Sequence, residues 1–563
     1  MRCMIRWIFI VFIFVSILPI NSYASESPNN KFGIHLAQPS DEDIDRADAL
    51  VNANGGAWGY ITLVIHEDDR SLEKWQSIFD KLREKKLIPL IRLATSPQGD
   101  VWKRPNSNEA QAWVDFLNKL QWVVKDRYII LFNEPNHASE WGGSVNATEF
   151  AEVNIAFAKE LKKANSDFFV MMGGLDLSAP SALPRYEDAE SFLQTVVNHI
   201  GTDDFNTYFD GLASHAYPNP GFVGSPYGVG RKSVRGYEWE LAFLKSLGVQ
   251  ELPVFITETG WNGDVLTRSQ IAQNFLIAYK QVWLPDDRVR AVTPFILNYQ
   301  GEPFLKFSWV SLGNGAVHPE YLAVQAMEKS WGVPELEEKG SIKHSLPGAI
   351  VEKSTYHFQL EVENAGQGIW GSEYGYSLKI QGIPESTYLI SELGTIKRGE
   401  SRMINVYLNT GQTSAQKQVR FDIMRGGKPA ISSDMWEYEV VPLPSLTYEA
   451  SLFPQFSTTT DGFELQLFDE YEQMIYSNKR VVVMKGKGSV SGVENIALGK
   501  PYRVVLLKKY YLPRQTYVTF TKGKNSIRFE PMLPLDFDGD GAFRWGDVPA
   551  LFQNLHLIRN LFP

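Results

Sequence analysis

Tyr128-Ile-Ile-Leu-Phe-Asn-Glu-Pro-Asn136 begins as an unbroken apolar and β-branched run and ends in an amide, a carboxylate and a proline. Such a run is the pattern of a strand buried on both faces, as in a parallel sheet. Proline has no N–H to give to a ladder, so the strand ends beside Pro135. Val254-Phe-Ile-Thr-Glu-Thr-Gly-Trp261 repeats the arrangement and delivers Glu258 at its own C-terminal end. Outward from these two, the chain reads as strands at Phe32–Ala37, Ala57–Ile65, Ile88–Thr95, Tyr128–Pro135, Phe168–Asp176, Phe209–Tyr217, Val254–Trp261 and Ala291–Gln300. Helical periodicity fills several of the gaps. Ser71–Leu82 opens on a serine cap with an acidic residue in its first turn. Asn108–Leu120, Asn146–Asn165, Tyr186–His199, Gly236–Leu247 and Ser269–Trp283 follow the same period. Strands alternating with helices imply a parallel sheet, and eight such units imply an α/β fold of the (β/α)8 TIM-barrel type over residues 30–332. A doubly wound open sheet is the alternative, but no glycine-rich phosphate loop follows the first strand.

Beyond Pro334-Glu-Leu-Glu-Glu-Lys-Gly340, a charged linker, the pattern changes to short alternating runs such as Tyr356–Val362 and Met403–Leu408. These predict an all-β sandwich over 341–441. Pro442-Leu-Pro-Ser445 is a second linker, and a second all-β module follows over 446–531. Residues 532–563 form a short loop and helix.

At 563 residues the chain exceeds one ordinary domain. The net charge of −10 argues against nucleic acid as a partner. Residues 1–24 read as a signal peptide: Arg2 and Arg6, an apolar core from Trp7 to Ile20, then Ser22-Tyr23-Ala24 as cleavage site. The expected location is therefore secreted, with no membrane span after cleavage. The single cysteine, Cys3, lies within that signal, so the mature chain has no thiol chemistry.

Barrel strands aim their C-terminal ends at one face, so Glu134 and Glu258, on strands four and seven, converge there. Cleavage of a glycosidic bond needs such a pair, one carboxyl supplying a proton and the other attacking the sugar or activating water. Phe132-Asn133-Glu134-Pro135 and Ile256-Thr257-Glu258-Thr259-Gly260-Trp261 resemble the signatures of the clan A retaining glycoside hydrolases, cellulase-like and xylosidase-like. The resemblance covers residues 30–332 and implies Glu134 as general acid/base, Glu258 as nucleophile and Asn133 as ligand of the substrate 2-hydroxyl. His215-Ala-Tyr217 resembles the clan's His-x-Tyr, which implies Tyr217 hydrogen-bonded to the nucleophile and His215 near the acid/base. No cofactor is implied for catalysis. A catalytically inactive carbohydrate-binding or surface-adhesion protein on the same barrel is the alternative.

Other strand tips carry further candidates. Arg92, on strand three, either hydrogen-bonds the nucleophile, as the clan's arginine does from strand two, or makes a structural ion pair. His35 is either a sugar contact or a core histidine. Trp141, Trp261 and Trp309 are either stacking platforms or core residues. Asn298 ends the eighth strand, and Trp309 lies beyond it, where the clan's pattern expects a tryptophan. Asn364-Ala-Gly-Gln-Gly-Ile-Trp370 and Trp436 make the 341–441 module resemble immunoglobulin-like spacers.

Asp536-Phe-Asp-Gly-Asp-Gly-Ala-Phe-Arg-Trp-Gly-Asp547 carries acidic residues at loop positions one, three, five and twelve, with glycine at six where the chain turns sharply. This predicts a Ca2+ loop with Asp536, Asp538, Asp540, the carbonyl of Ala542 and Asp547 as ligands. The segment resembles half of a dockerin. A cohesin-like scaffold partner is one reading, and a calcium staple closing the last β module is the other.

Overall fold

The computed structural model describes residues 28–454, 459–553 and 555. The signal reading of residues 1–24 lies outside the described residues. Two compact units divide the chain, the first running to Glu335 and the second from Leu336 onward, with the short segment Gln121–Lys125 grouped with the second.

The first unit is a parallel barrel of β1 (Gly33–His35), β2 (Gly59–His66), β3 (Leu87–Ala94), β4 (Arg127–Leu131), β5 (Phe168–Met172), β6 (Gly211–His215), β7 (Val254–Glu258) and β8 (Val289–Val292). Each strand pairs with the next in chain order. A parallel bridge between Phe32 and Val292 closes the ring, with Val292 N donating to Lys31 O at 2.9 Å and His35 N to Pro294 O at 3.1 Å. The interior is layered. Tyr60, Tyr128, Phe169 and Phe255, near the starts of four strands, pack ring against ring at centroid distances from 5.0 to 6.3 Å and plug the floor. Above them the hydroxyls of Thr62 and Thr293 meet at 2.8 Å. Charged side chains appear at the C-terminal ends of the strands.

Helices alternate with these strands. The expected six are present, among them α2 (Leu72–Glu84), with Ser71 Oγ accepting from Lys74 N, and α4 (Ala147–Ala164), capped by Asn146. The structure adds α1 (Asp41–Val51), whose cap Ser40 and acidic first turn are start signals, and two short helices, Thr202–Tyr208 and Pro319–Gln325. Most strands are shorter than expected, among them β1 and β4 to β8. β5 stops at Met172, where Gly173-Gly174 follows, and β8 stops at Val292, because Pro294 cannot continue a ladder. The chain from Thr293 to Val310 is irregular apart from one short turn of helix.

The second unit is all β until its last helix. Four strands (Gly340–Lys343, Thr355–Asn364, Ser401–Asn409 and Tyr388–Ile390) form one sheet. Five others form a second sheet, and Phe358 of the first packs edge-on against Phe421 and Trp436 of the second. Trp370 and Trp436 are buried, as expected of sandwich core residues. A seven-stranded sheet between Ser445 and Arg528 closes around Phe463, Leu465, Val504 and Phe520. Among the described residues no helix is long and apolar enough to cross a membrane.

The helix that follows the Glu258 loop, Arg268–Ala278, begins in a capping box: Gln270 N donates to Thr267 Oγ1 at 3.3 Å, and Thr267 N to Gln270 Oε1 at 2.9 Å. Thr267→Ala removes the cap acceptor and is expected to destabilise the barrel unit by about 1 kcal/mol. Urea unfolding followed by tryptophan fluorescence measures this, and an unmoved midpoint would show that the box contributes nothing.

Candidate active site

Glu134 is held by a strained piece of backbone. Just past β4 the chain passes through left-handed conformations at Phe132 (φ 69°) and Glu134 (φ 30°). Each costs about 1–3 kcal/mol for a side-chain-bearing residue and persists because its surroundings over-determine it. Phe132 packs its ring between Trp141 and Phe157, while Glu134 N donates to Gly174 O at 3.0 Å. The glycines that end β5 make room. A Cβ on Gly173 would lie 2.7 Å from the Phe132 carbonyl oxygen, and one on Gly174 would lie 2.3 Å from the His215 ring.

Glu258 is the last residue of β7 and is buried. Tyr217 Oη donates to its Oε2 at 3.1 Å, and Arg92 Nη1 donates to its Oε1 at 3.0 Å. The same Arg92 nitrogen also donates to Asn133 Oδ1. His215 Nδ1 lies 2.9 Å from Glu134 Oε1 and 3.7 Å from Glu258 Oε2, and one oxygen of each glutamate falls within 4.8 Å of the other. Burial opposes a charged His215, but the Glu258 charge, the hydrogen bond to Glu134 and the Glu134 charge outweigh it and raise its pKa. Burial, reinforced by the two carboxylates, keeps the Tyr217 phenol protonated.

Glu134, His215 and Glu258 are close enough together to share a metal ion. The donor set fits one poorly, because the Arg92 guanidinium already bonds Glu258 and would face the cation. The arrangement instead suits two carboxyl groups working on opposite sides of one bond.

Six expected residues thus meet at the barrel mouth: Asn133, Glu134, Glu258, Arg92, His215 and Tyr217. Five others do not offer themselves to a ligand. Trp261 and Trp309 are 1% and 2% exposed and pack on Phe275 of the helix behind β7, so neither has a face free for stacking. Trp141 is closed off in the same way by Phe132 and Phe150. His35 is 2% exposed, and burial, followed by the charges of Arg92 and His215, holds it neutral, which makes it a core histidine. Asn298 spends its amide on Asp43, at 3.0 Å, and on Gln300, at 2.7 Å.

The structure supplies groups that the sequence did not announce. Phe295 is the aromatic residue at the mouth beyond β8, where Trp309 was expected. With Phe222, Phe307 and the exposed Phe304 it continues a wall from Tyr217 at ring distances of 5.0 to 6.1 Å. Next to Glu134, His137 Nε2 and Asp176 Oδ2 pair at 2.8 Å. Glu140 accepts from Asn133 Nδ2 at 3.3 Å. Beneath His215, Ser214 Oγ donates to Glu240, which burial pushes up to about 8. These residues are scattered over loops and a helix face, and only the spacing Asn133…Glu140 on one short loop was available as a signal.

A second acidic cluster lies in the C-terminal loop. Carboxylate oxygens of Asp536, Asp538 and Asp540 fall within 4.8 Å of one another. Asp547 turns back on the loop and accepts from the amides of Phe537 and Arg544 at 2.7 Å and Asp538 at 3.2 Å. Ala542 N donates to Asp540.

No family model matches the chain, and no curated protein matches it. Solved structures do. A triple mutant of an endo-β-1,4-glucanase from Xanthomonas axonopodis pv. citri is similar at 11% identity, over 53% of this chain and 98% of that one, with a TM-score of 0.37. A β-mannanase from Thermomonospora fusca in complex with mannohexaose is similar at 10% identity, over 50% of this chain and 83% of that one (TM-score 0.33). A family 51 α-L-arabinofuranosidase from Bifidobacterium longum is similar at 10% identity, over 85% and 97% (TM-score 0.38).

The buried Glu240 carboxyl has a pH signature. Its pKa in the folded chain, about 8, exceeds the ordinary 4.5, so the folded chain binds this proton more tightly than the unfolded one. The linked stability is present in full below pH 4.5 and is lost as pH rises through about 8. Wild-type Tm is therefore expected to fall over that window, and Glu240→Gln, which stays neutral, to flatten the fall. Parallel curves for the two proteins would place the proton elsewhere.

Proposed function

We propose that the chain is an exported, retaining O-glycosyl hydrolase that cleaves a polysaccharide or oligosaccharide by double displacement. One observation carries this reading: Glu134 and Glu258, from β4 and β7, bring carboxylate oxygens within 4.8 Å of each other while bonded to different partners. That approach is compatible with the separation of about 5–5.5 Å between carboxyl groups that direct attack requires.

In the proposed mechanism Glu258 attacks the anomeric carbon while Glu134 delivers a proton to the departing oxygen. Arg92 and Tyr217 hold Glu258 with one bond to each oxygen, which fixes the direction of attack. The hydrogen bonds between these donors and the carboxylate also stabilise its charge before attack. Glycosylation of Glu258 removes that charge, and Glu134, now a base, takes a proton from water that releases the sugar. His215 bonds Glu134 Oε1 throughout and sets the carboxyl's orientation. The phenylalanine wall beside Tyr217 offers an apolar flank to a sugar ring. Export rests on the N-terminal basic and apolar pattern.

The C-terminal loop is proposed as a Ca2+ staple of the last β module, held by Asp536, Asp538, Asp540, the Ala542 carbonyl and Asp547. The loop is stitched to its module through a bridge between Tyr510 and Asp536 and a bond from Leu512 N to Leu533 O at 2.9 Å. A cation would relieve the repulsion among the three converging carboxylates.

Release of reducing sugar from β-glucans, xylans, mannans and galactans tests the catalytic reading. Glu258→Ala is expected to lose at least about a thousandfold in kcat. Glu134→Ala is expected to lose polysaccharide hydrolysis yet keep most of its kcat/KM on dinitrophenyl glycosides, whose leaving group needs no proton, while kcat falls because no base assists the water of the second step. Unchanged activity in Glu258→Ala would overturn the assignment, and sugar binding without hydrolysis would favour the inactive-barrel alternative. For the staple, EDTA is expected to lower the Tm of the second unit by several degrees in the wild type and not in Asp538→Ala, in line with stabilisation by a ligand of the folded state alone.

A further inference from the structure

Asn133 is gripped at both ends of its amide. Arg92 Nη1 donates to Oδ1, and Nδ2 donates to Glu140 Oε2 at 3.3 Å. An amide nitrogen carries two hydrogens. With one given to Glu140, the other is left for a ligand.

Glu140 is fixed for this task by its own loop. It closes the single helical turn Ala138–Glu140, with Glu140 N donating to His137 O at 3.1 Å. His137 N in turn donates to Glu134 O at 2.9 Å, and Ala138 N to Arg185 O at 2.9 Å. Trp141, the next residue, is fully buried. The loop therefore carries the proposed acid at one end and Glu140 at the other, with Asn133 spanned between Glu140 and Arg92.

A stability argument does not account for this carboxyl. It is partly withdrawn from water, and it forms no ion pair among the described residues. Burial, with the Glu134 charge next and Arg92 opposing, pushes its pKa up to about 7. Withdrawing a carboxyl group without a cation is costly, and one hydrogen bond from an amide recovers a part of that cost.

Resting on the glycosidase reading, we infer that Glu140 is a positioning residue for Asn133: by taking one Nδ2 hydrogen it aims the other at the sugar hydroxyl beside the bond to be cleaved. Neither hydrogen nor charge passes from Glu140 to the substrate. Its effect reaches the reaction through the orientation of the Asn133 amide.

The test pairs crystallography with kinetics. In a crystal structure of Glu140→Ala the Asn133 side chain is expected to leave its wild-type pose, and in Glu140→Gln, whose amide oxygen still accepts, to keep it. Kinetics use nitrophenyl β-glycosides of glucose, mannose, galactose and xylose, with the 2-deoxy analogue of whichever is cleaved. Glu140→Ala is expected to lower kcat/KM about 30-fold on the parent glycoside and about threefold on the 2-deoxy analogue, a difference of one tenfold step in rate. Glu140→Gln is expected to recover most of the loss. Equal losses on both substrates would reduce Glu140 to a structural role and overturn the inference. If the wild type, its fold intact, cleaves neither these glycosides nor any of the polysaccharides named above, the glycosidase reading fails. The crystallographic arm then decides alone: a displaced Asn133 supports the positioning role, and an unmoved one refutes it.

Discussion

One nitrogen of Arg92 holds the mouth of the barrel together. It bonds Glu258 on the far side of the ring and Asn133 on the adjoining strand tip, so a single guanidinium fixes two of the groups that a ligand would meet. Glu134, Glu140 and Glu258 crowd the same space, and like charges at such range would drive one another apart or take up protons. Arg92 offsets one of these charges, and His215 answers another through its bond to Glu134. Tyr217, held neutral, adds a hydrogen bond without adding charge. Removal of the guanidinium would leave the remaining groups no common geometry.

The scaffold serves this balance of charge. β4 ends in two left-handed residues that turn Glu134 inward, and the next strand ends in two glycines that let it turn. Neither feature makes sense alone. A side chain at Gly174 would occupy the place of the His215 ring, and without that ring Glu134 Oε1 would lose its partner. Strain on one strand and vacancy on its neighbour are two halves of one arrangement.

The barrel was legible because its strands are buried on both faces and so appear as continuous apolar runs, of which Tyr128–Leu131 and Val254–Ile256 are the clearest. The groups at strand tips could be read for the same reason: a polar residue ending such a run, as Glu134, Glu258 and His215 do, has one place to be. Strand ends were less legible. Asn298 was drawn toward the mouth by an overlong eighth strand and Trp309 by the clan's pattern, whereas Pro294 ends the ladder early and Trp309 packs on Phe275. Whether an aromatic ring is a platform or a core residue depends on what covers it. For Trp261 the cover is Phe275, contributed by a helix that begins several residues later. Asp176 and Glu240 meet neighbours brought by other segments, and no local pattern marks them, whereas Glu140 was marked only by its spacing from Asn133 on one short loop. In the C-terminal loop the carboxylate spacing was explicit in the sequence, whereas the inward turn of Asp547 onto backbone amides was not.

The aromatic plug of Tyr60, Tyr128, Phe169 and Phe255 gives the barrel a sealed base. Solvent reaches the glutamates from above, and a sugar ring seated over them would stopper that entrance too. With the base closed, the fragment that leaves with the Glu134 proton and the water that replaces it would both have to pass through the mouth by which the substrate entered.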